Sequence, residues 1–138
     1  MKYRYIYQLN LLLSTVLLFA GCKDIEPIEI MNAKIFFYSK NDTAAVAQPA
    51  SIDRELTQSQ IQLVQGWLKA NRAGWSAHNP KATLLPQWCI DITSTSGKAH
   101  GLCRYQAKAV LRGLGVEMAK PLTEQDNLLF MKLVEDAS

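Results

Sequence analysis

Apolar side chains recur at helical spacing in the middle of the chain. Those at positions 61, 64, 67 and 68 fall on one stripe, and this spacing predicts an amphipathic helix over about 57–73. Thr57 and Gln60 fit a capping box, in which each side chain bonds the backbone N–H of the other residue. Gly74 is a typical C-terminal stop. We expect the apolar stripe to pack against a sheet.

A second helix is predicted over about 123–136. Thr123 is a good N-cap residue, and Pro121 ends the segment before it. The apolar positions expected on its buried face are Leu129, Phe130, Leu133 and Val134.

Elsewhere the pattern is that of β-strands. Alternating positions rich in β-branched and aromatic residues predict strands at 33–39, 85–93 and 100–105. Residues 108–120 fit either a helix or two strands, and Gly113 and Gly115 favour strands at 109–111 and 116–120. Residues 40–54 lack periodicity and are predicted to form a long loop.

This order of elements predicts the α+β class. We expect a small antiparallel sheet of three to five strands, with both helices packed on one face. The folded domain is predicted to span 33–138, after a tether at 22–32. The length of 138 residues and the 49% hydrophobic content suit one globular domain rather than a disordered chain.

The first 21 residues have the organisation of a secretory signal peptide. Lys2 and Arg4 precede an apolar stretch at 11–20, and the chain becomes polar directly after Cys22. The apolar stretch is about half as long as the roughly 20 residues that a membrane-spanning helix needs. The pattern therefore predicts export and removal of the leader.

The residues around the predicted cleavage site resemble the lipobox of bacterial lipoproteins. Ala20, Gly21 and Cys22 match the pattern, and Phe19 stands where leucine is usual. The resemblance implies cleavage before Cys22 and acylation of its thiol, which would anchor the protein in membrane lipid. Lys23 after the cysteine favours the periplasmic side of the outer membrane, with the inner membrane as the alternative. The other interpretation is an uncleaved anchor, or an ordinary signal with a chance cysteine.

An acylated Cys22 would leave Cys89 and Cys103 to form a disulfide in an oxidising envelope. Two buried free thiols are the alternative. If the two cysteines face each other in a hairpin, residues 95–97 form a three-residue turn with Gly97 at its left-handed position.

The same register has a consequence for the two faces of the hairpin. It places Trp88, Ile90 and Ile92 on one face, and it places Tyr105 with the cysteines on the other. Either the second strand carries a bulge or the sheet is partly covered on both sides.

The sequence offers few residues for catalysis or metal binding. Its two histidines, His78 and His100, are not accompanied by a nucleophile motif. His100 and Cys103 would point to opposite faces of a strand, which does not suit a shared metal. We predict no catalytic residue, metal or cofactor, and a small metal-binding protein is a less favoured alternative. The formal charge is +3, with two of the positive charges in the leader, which argues against nucleic-acid binding.

Trp75 and His78 are the positions that we single out for binding a partner. Trp75 either packs on the edge of the sheet or anchors a partner protein. We expect a protein-binding module of the inhibitor or immunity type, with a protein partner in the envelope. The alternative is a structural accessory subunit of an envelope or secretion complex.

Overall fold

A computed structural model describes residues 22–38, 50–79 and 85–135. The predicted signal peptide lies outside these residues. The described chain contains the elements β1 (Ile30–Phe37), β2 (Ala50–Glu55), α1 (Gln58–Ala70), β3 (Ser76–Ala77), β4 (Trp88–Ser94), β5 (Ala99–Tyr105), β6 (Lys108–Arg112), β7 (Met118–Pro121) and α2 (Glu124–Glu135). The predicted α+β class is confirmed.

The described strands form one antiparallel sheet in the order β2-β1-β4-β5-β6-β7-β3. This sheet of seven strands is larger than the predicted three to five. The prediction missed the two edge strands, β2 and β3, which pair with β1 and β7. β2 begins within the stretch predicted as a loop over 40–54, of which residues 40–49 are outside the described part. Short edge strands are defined by main-chain pairing and leave little alternation in the sequence.

β4 and β5 pair in the register predicted from their cysteines. Cys89 lies opposite Cys103, and their sulfurs form a disulfide. The Gly97 N–H donates to the Ser94 carbonyl (N···O 2.9 Å), and Gly97 has a φ of +79°, which glycine adopts readily. The pairing is continuous between Trp88 and Thr93 on β4. Partial covering of both faces, rather than a bulge in the second strand, therefore describes this hairpin.

The segment over 108–121 forms two strands and a turn, as predicted, and not a helix. β6 and β7 pair directly, and the turn between them contains Gly113 and Gly115, with φ angles of +93° and +86°. Such angles exclude a continuous right-handed helix through this segment.

Both predicted helices are present, with their predicted N-terminal caps, but the first helix ends before the predicted stop at Gly74. The Thr57 hydroxyl accepts from the Gln60 N–H, and the Gln60 side chain accepts from the Thr57 N–H. α1 ends at Ala70 rather than at 73, because Asn71 leaves the helical conformation with a ψ of 40°. Its side-chain N–H bonds the Trp67 carbonyl. The Thr123 hydroxyl caps α2 by accepting from a backbone N–H in its first turn.

Both helices pack on one face of the sheet. Ile35, Ile90 and Leu102 lie side by side there on three neighbouring strands and are fully buried. The helices cover them with the apolar side chains Ile61, Val64, Trp67, Leu68, Phe130 and Leu133. Leu129 and Val134, also predicted to be buried, are half-buried at the margin of this core.

The opposite face carries the disulfide, and we call it the disulfide face. Cys89, Cys103, Val110 and Ala119 are buried on it, outside the main core. Their registers place them together across β4, β5, β6 and β7. The sheet therefore has apolar centres on both sides, which makes its register doubly specified.

Among the glycines that the structure describes, Gly113 has the least room for a side chain. A Cβ there would overlap the Ala99 carbonyl oxygen and lie 3.1 Å from Nδ1 of His100. Gly115 has a similar φ but an open surrounding, so Gly115→Ala should lower the free energy of unfolding by about 1–2 kcal/mol, through backbone strain. Gly113→Ala should lower it by about 3 kcal/mol or more, because the main chain must also move. Equal losses in urea unfolding would contradict this account of the turn.

Asp126 joins the two helices and gives stability a dependence on pH. Its carboxylate accepts from the Trp67 indole N–H (2.8 Å) and the Thr123 N–H (2.8 Å). Burial raises the pKa of this carboxyl, but the hydrogen bonds from Thr123 and Trp67 outweigh burial, and the pKa is lowered. The stability that the ionised form contributes is therefore present above the ordinary carboxyl pKa, and it is lost as the pH falls through the lowered value.

We expect Asp126→Asn to lower the free energy of unfolding at neutral pH by about 1–3 kcal/mol, because an amide cannot accept both bonds as a charged group does. The difference from the unchanged protein should shrink in acid, as measured by urea unfolding across the pH range. Glu124→Gln, in the same turn and exposed, is the matched control. A pH-independent loss for Asp126→Asn, or an equal loss for both variants, would count against this assignment.

Candidate functional site

The residues that follow Cys22 belong to the folded domain. We call residues 23–29 the strap. Ile25 and Ile28 are only 4% and 5% exposed and join the main core, and the chain then continues directly into β1. The tether predicted at 22–32 is therefore wrong, because two apolar side chains of this short polar stretch are buried.

The strap is hydrogen bonded near both of its ends. Lys23 and Trp75 exchange main-chain bonds (N···O 2.7 and 3.1 Å). At the other end, the Gln65 side chain on α1 donates to the Ile28 carbonyl and accepts from the Ile30 N–H (2.5 and 2.6 Å). A glutamine amide pairs well with a main-chain segment because it has both a donor and an acceptor.

An open groove of about 870 Å³ lies between the strap and two turns at the same end of the sheet. The first turn joins β4 to β5, and the second joins β6 to β7. The Thr95 N–H donates to the Glu29 carbonyl (2.9 Å) and ties the first turn to the strap. The groove combines apolar and charged side chains, including Ile28, Leu114, Val116, Lys98, Glu26 and Glu29.

His100 lines this groove and is only 9% exposed. Burial and then the Lys98 ammonium lower the pKa of its imidazole, while the Arg112 main chain acts in the opposite direction. The ring is therefore neutral at neutral pH. Its Nδ1 lies beside Gly113 and has no hydrogen-bond partner among the described residues.

Two of the three cysteines form a disulfide and one is free, as the sequence suggested. Cys89 and Cys103 are joined, and the Cys22 thiol is free and exposed. His100 faces the helices, whereas Cys103 faces the opposite side of β5, so these two residues do not share a site. Within the described chain, no group of three potential ligands could hold a metal ion. None of the described helices combines the length and the apolar character that crossing a membrane requires.

Trp75 packs inside the domain. Its side chain is fully buried, its indole N–H donates to the Asn71 carbonyl (2.6 Å), and its ring meets Trp67 edge-on at 6.1 Å. A fully buried ring offers no surface to a partner. Of the two alternatives for Trp75, packing within the domain is therefore right. The expectation that it binds a partner is wrong.

His78 belongs to a polar cluster on the disulfide face. We call His78, Tyr105, Arg112 and Glu117 the Tyr105 cluster. Arg112 donates to the Tyr105 hydroxyl (2.7 Å) and forms an ion pair with Glu117 (2.8 Å). The His78 ring lies 5.7 Å from the Tyr105 ring, and the His78 N–H donates to the Glu117 carbonyl (2.8 Å). Strands β5 and β6 and the ends of β3 and β7 thus bring four separate segments together.

The Tyr105 cluster is suited to recognition. Burial raises the pKa of the Tyr105 phenol, and the adjacent guanidinium opposes that shift. The phenol is therefore protonated at neutral pH and remains a hydrogen-bond donor. Tyrosine and arginine are enriched among the residues that dominate protein interfaces. Sequence reasoning found His78 but missed Tyr105 and Arg112, although the cysteine register already placed Tyr105 on this face.

Comparisons of the chain with protein-family models, with curated proteins and with solved structures found no match.

Proposed function

We propose that the protein is a bacterial lipoprotein, cut before Cys22 and anchored to the membrane by acyl chains on its thiol. The lipobox-like residues before Cys22 support this anchor. The exposed Cys22 thiol also supports it, because the other two sulfurs are already bonded to each other. More than one acyl chain on a residue holds a protein stably at a bilayer. The proposed location is the periplasmic side of the outer membrane.

We further propose that the domain is a protein-binding module that uses its disulfide face. The observation that carries this proposal is the Tyr105 cluster, which lies on the face opposite the helices and holds a tyrosine and an arginine in fixed positions. Phe36 and Tyr38 are also half-buried on or beside this region. An arginine already fixed by two neighbours loses little further side-chain entropy when a partner binds. We assign no reaction, metal or cofactor to the domain.

A second candidate function is an accessory subunit of an envelope or secretion complex. The observation that favours it is an apolar pair on the outer side of α2, where Leu128 and Met131 are 58% and 48% exposed. Residues three apart on a helix lie next to each other on its surface, so the pair forms one small apolar area. Such an area suits packing against another subunit.

The anchor is tested by Cys22→Ser in the full chain. Mass spectrometry of the unchanged protein should find the leader removed and a lipid-modified Cys22, whereas Cys22→Ser should carry no lipid and leave the membrane fraction. Lys23→Asp is the matched control, since it keeps the cysteine. In an enteric host it should remain acylated and move to the inner membrane. An intact leader, or an unmodified thiol in the unchanged protein, would refute the anchor.

The binding face is tested with Arg112→Ala and Lys34→Ala, two cations on the same sheet face that both form ion pairs. If Arg112 dominates the interface, Arg112→Ala should weaken the affinity for an envelope protein roughly 30-fold or more, as a loss of about 2 kcal/mol implies. Lys34→Ala should change it less than about twofold. The affinities would be measured by calorimetry, after crosslinking and mass spectrometry identify the partner.

A Leu128→Ser, Met131→Ser double variant separates the two candidate functions. Loss of integral membrane proteins from the crosslinked set in this variant, with Arg112→Ala unaffected, would replace the first candidate by the second. If neither variant changes what is recovered, the protein-binding proposal fails on both surfaces.

A further inference from the structure

The two walls of the groove carry opposite charges. The strap forms one wall, and its charged side chains are Lys23, Asp24, Glu26 and Glu29. Three carboxylates therefore stand there against one ammonium group. The two turns form the other wall, and among the described residues that line it, Lys98 is the one with a charged side chain. A molecule that spans the groove meets net negative charge on one side and positive charge on the other.

The side chains that are buried at the base of the groove add no charge between these walls. They include Ile28, Met118, Ser94 and His100. Burial, and then the Lys98 ammonium, lowers the pKa of the His100 imidazole, so the ring is neutral at neutral pH. A neutral imidazole has one hydrogen-bond donor and one acceptor. The base therefore suits an uncharged part of a ligand, such as a peptide bond or an apolar group.

The wall formed by the turns also presents apolar side chains to solvent. Val116 is 60% exposed and Leu114 is half-buried, and both line the groove. Covering an aliphatic side chain completely is worth about 1.5–3 kcal/mol, so a ligand with apolar groups gains from contact with this wall. The groove volume of about 870 Å³ falls within the roughly 300–1,000 Å³ of sites that hold small ligands.

We propose that the groove binds a short apolar peptide whose two ends are both free. The amino terminus of the peptide pairs with the carboxylates of the strap, and its carboxylate pairs with Lys98. Its apolar side chains cover Leu114 and Val116. A peptide suits this arrangement because its opposite charges are at its two ends and can reach opposite walls. A single amino acid or a zwitterionic lipid headgroup holds its charges close together.

This site is separate from the functions proposed above. It shares no residue with the Tyr105 cluster, and it does not depend on the acylation of Cys22. Failure of the peptide site would therefore leave both the anchor and the protein-binding face in place.

The test is a calorimetric titration with the tripeptide Leu-Leu-Leu. The protein is purified in detergent from cells that express the full chain, and a titration into detergent alone is the blank. Three further ligands are compared: the same tripeptide with an acetylated amino end, the same tripeptide with an amidated carboxyl end, and Gly-Gly-Gly. We expect each blocked end to weaken binding roughly threefold to fivefold, which is the effect of losing an exposed ion pair. Gly-Gly-Gly should bind more than about tenfold more weakly, since it has no apolar side chain.

Two variants assign each end of the peptide to a wall. Glu26→Gln with Glu29→Gln leaves the strap with one carboxylate and one ammonium group, and Lys98→Gln removes the charge of the opposite wall. All three positions are exposed. The strap variant should weaken binding of the free tripeptide as acetylation does, and acetylation should then have no further effect. Lys98→Gln should be coupled to amidation in the same way.

The matched controls lie on the disulfide face, outside the groove. Glu55→Gln with Asp91→Asn removes two exposed carboxylates that flank Lys34, and Lys34→Gln removes that cation. Neither control should change the affinity by more than about twofold. Equal losses in the controls and in the groove variants would show that overall charge, and not the groove, governs binding.

Four other results would overturn the proposal. They are no saturation by Leu-Leu-Leu at millimolar concentration, equal binding of Gly-Gly-Gly, and additive effects of blocked ends and groove variants. The fourth is a loss of affinity from blocking one end alone, which would mean that the groove recognises a chain terminus rather than a short free peptide.

Discussion

The register between β4 and β5 is the constraint on which the rest of the structure depends. Side chains alternate between the faces of a sheet, so a slip by one residue would exchange the two faces. In the observed register, Ile90 and Leu102 meet the helices, and Cys89 and Cys103 meet each other on the opposite side. The turn at Gly97 and the disulfide specify the same pairing independently, and the buried residues on both faces make any other pairing costly.

The two faces and two ends of this sheet have different properties. One face holds the helices and the main core, and the disulfide face carries the Tyr105 cluster. The strap closes one end of the core with Ile25 and Ile28. The proposed anchor at Cys22 adjoins the strap, whereas the proposed protein-binding surface lies along the side of the sheet.

The sequence predicted those parts of the fold that a local pattern specifies. Thr57 and Thr123 each precede an apolar stripe at helical spacing, which marks them as helix N-caps. Gly97 occupies a turn position that requires a left-handed backbone. These features could therefore be found without the structure. The strap could not, because two isoleucines among charged residues show no period, and their burial depends on α1 and Trp75 far along the chain. Trp75 itself offered two alternatives, and only its tertiary neighbours decide between them.

The candidate site was less accessible to sequence reasoning than the fold. The Tyr105 cluster joins four segments that are separated along the chain, and none of its members stands in a recognisable motif. His78 stands out in the sequence because it is one of two histidines and follows Trp75 by three residues. Arg112 acquires its significance from Glu117 and Tyr105, which lie next to it only after β6 pairs with its neighbours.

The docked strap also restricts the order in which the proposed lipoprotein can mature. If Cys22 is acylated and the chain is cut before it, as proposed, the main chain around that residue has to be reached during processing. Once Lys23 is paired with Trp75, that main chain is occupied by the domain. On that proposal, pairing of Lys23 with Trp75 and burial of Ile25 follow processing, so the last part of the core closes only after the leader has been removed.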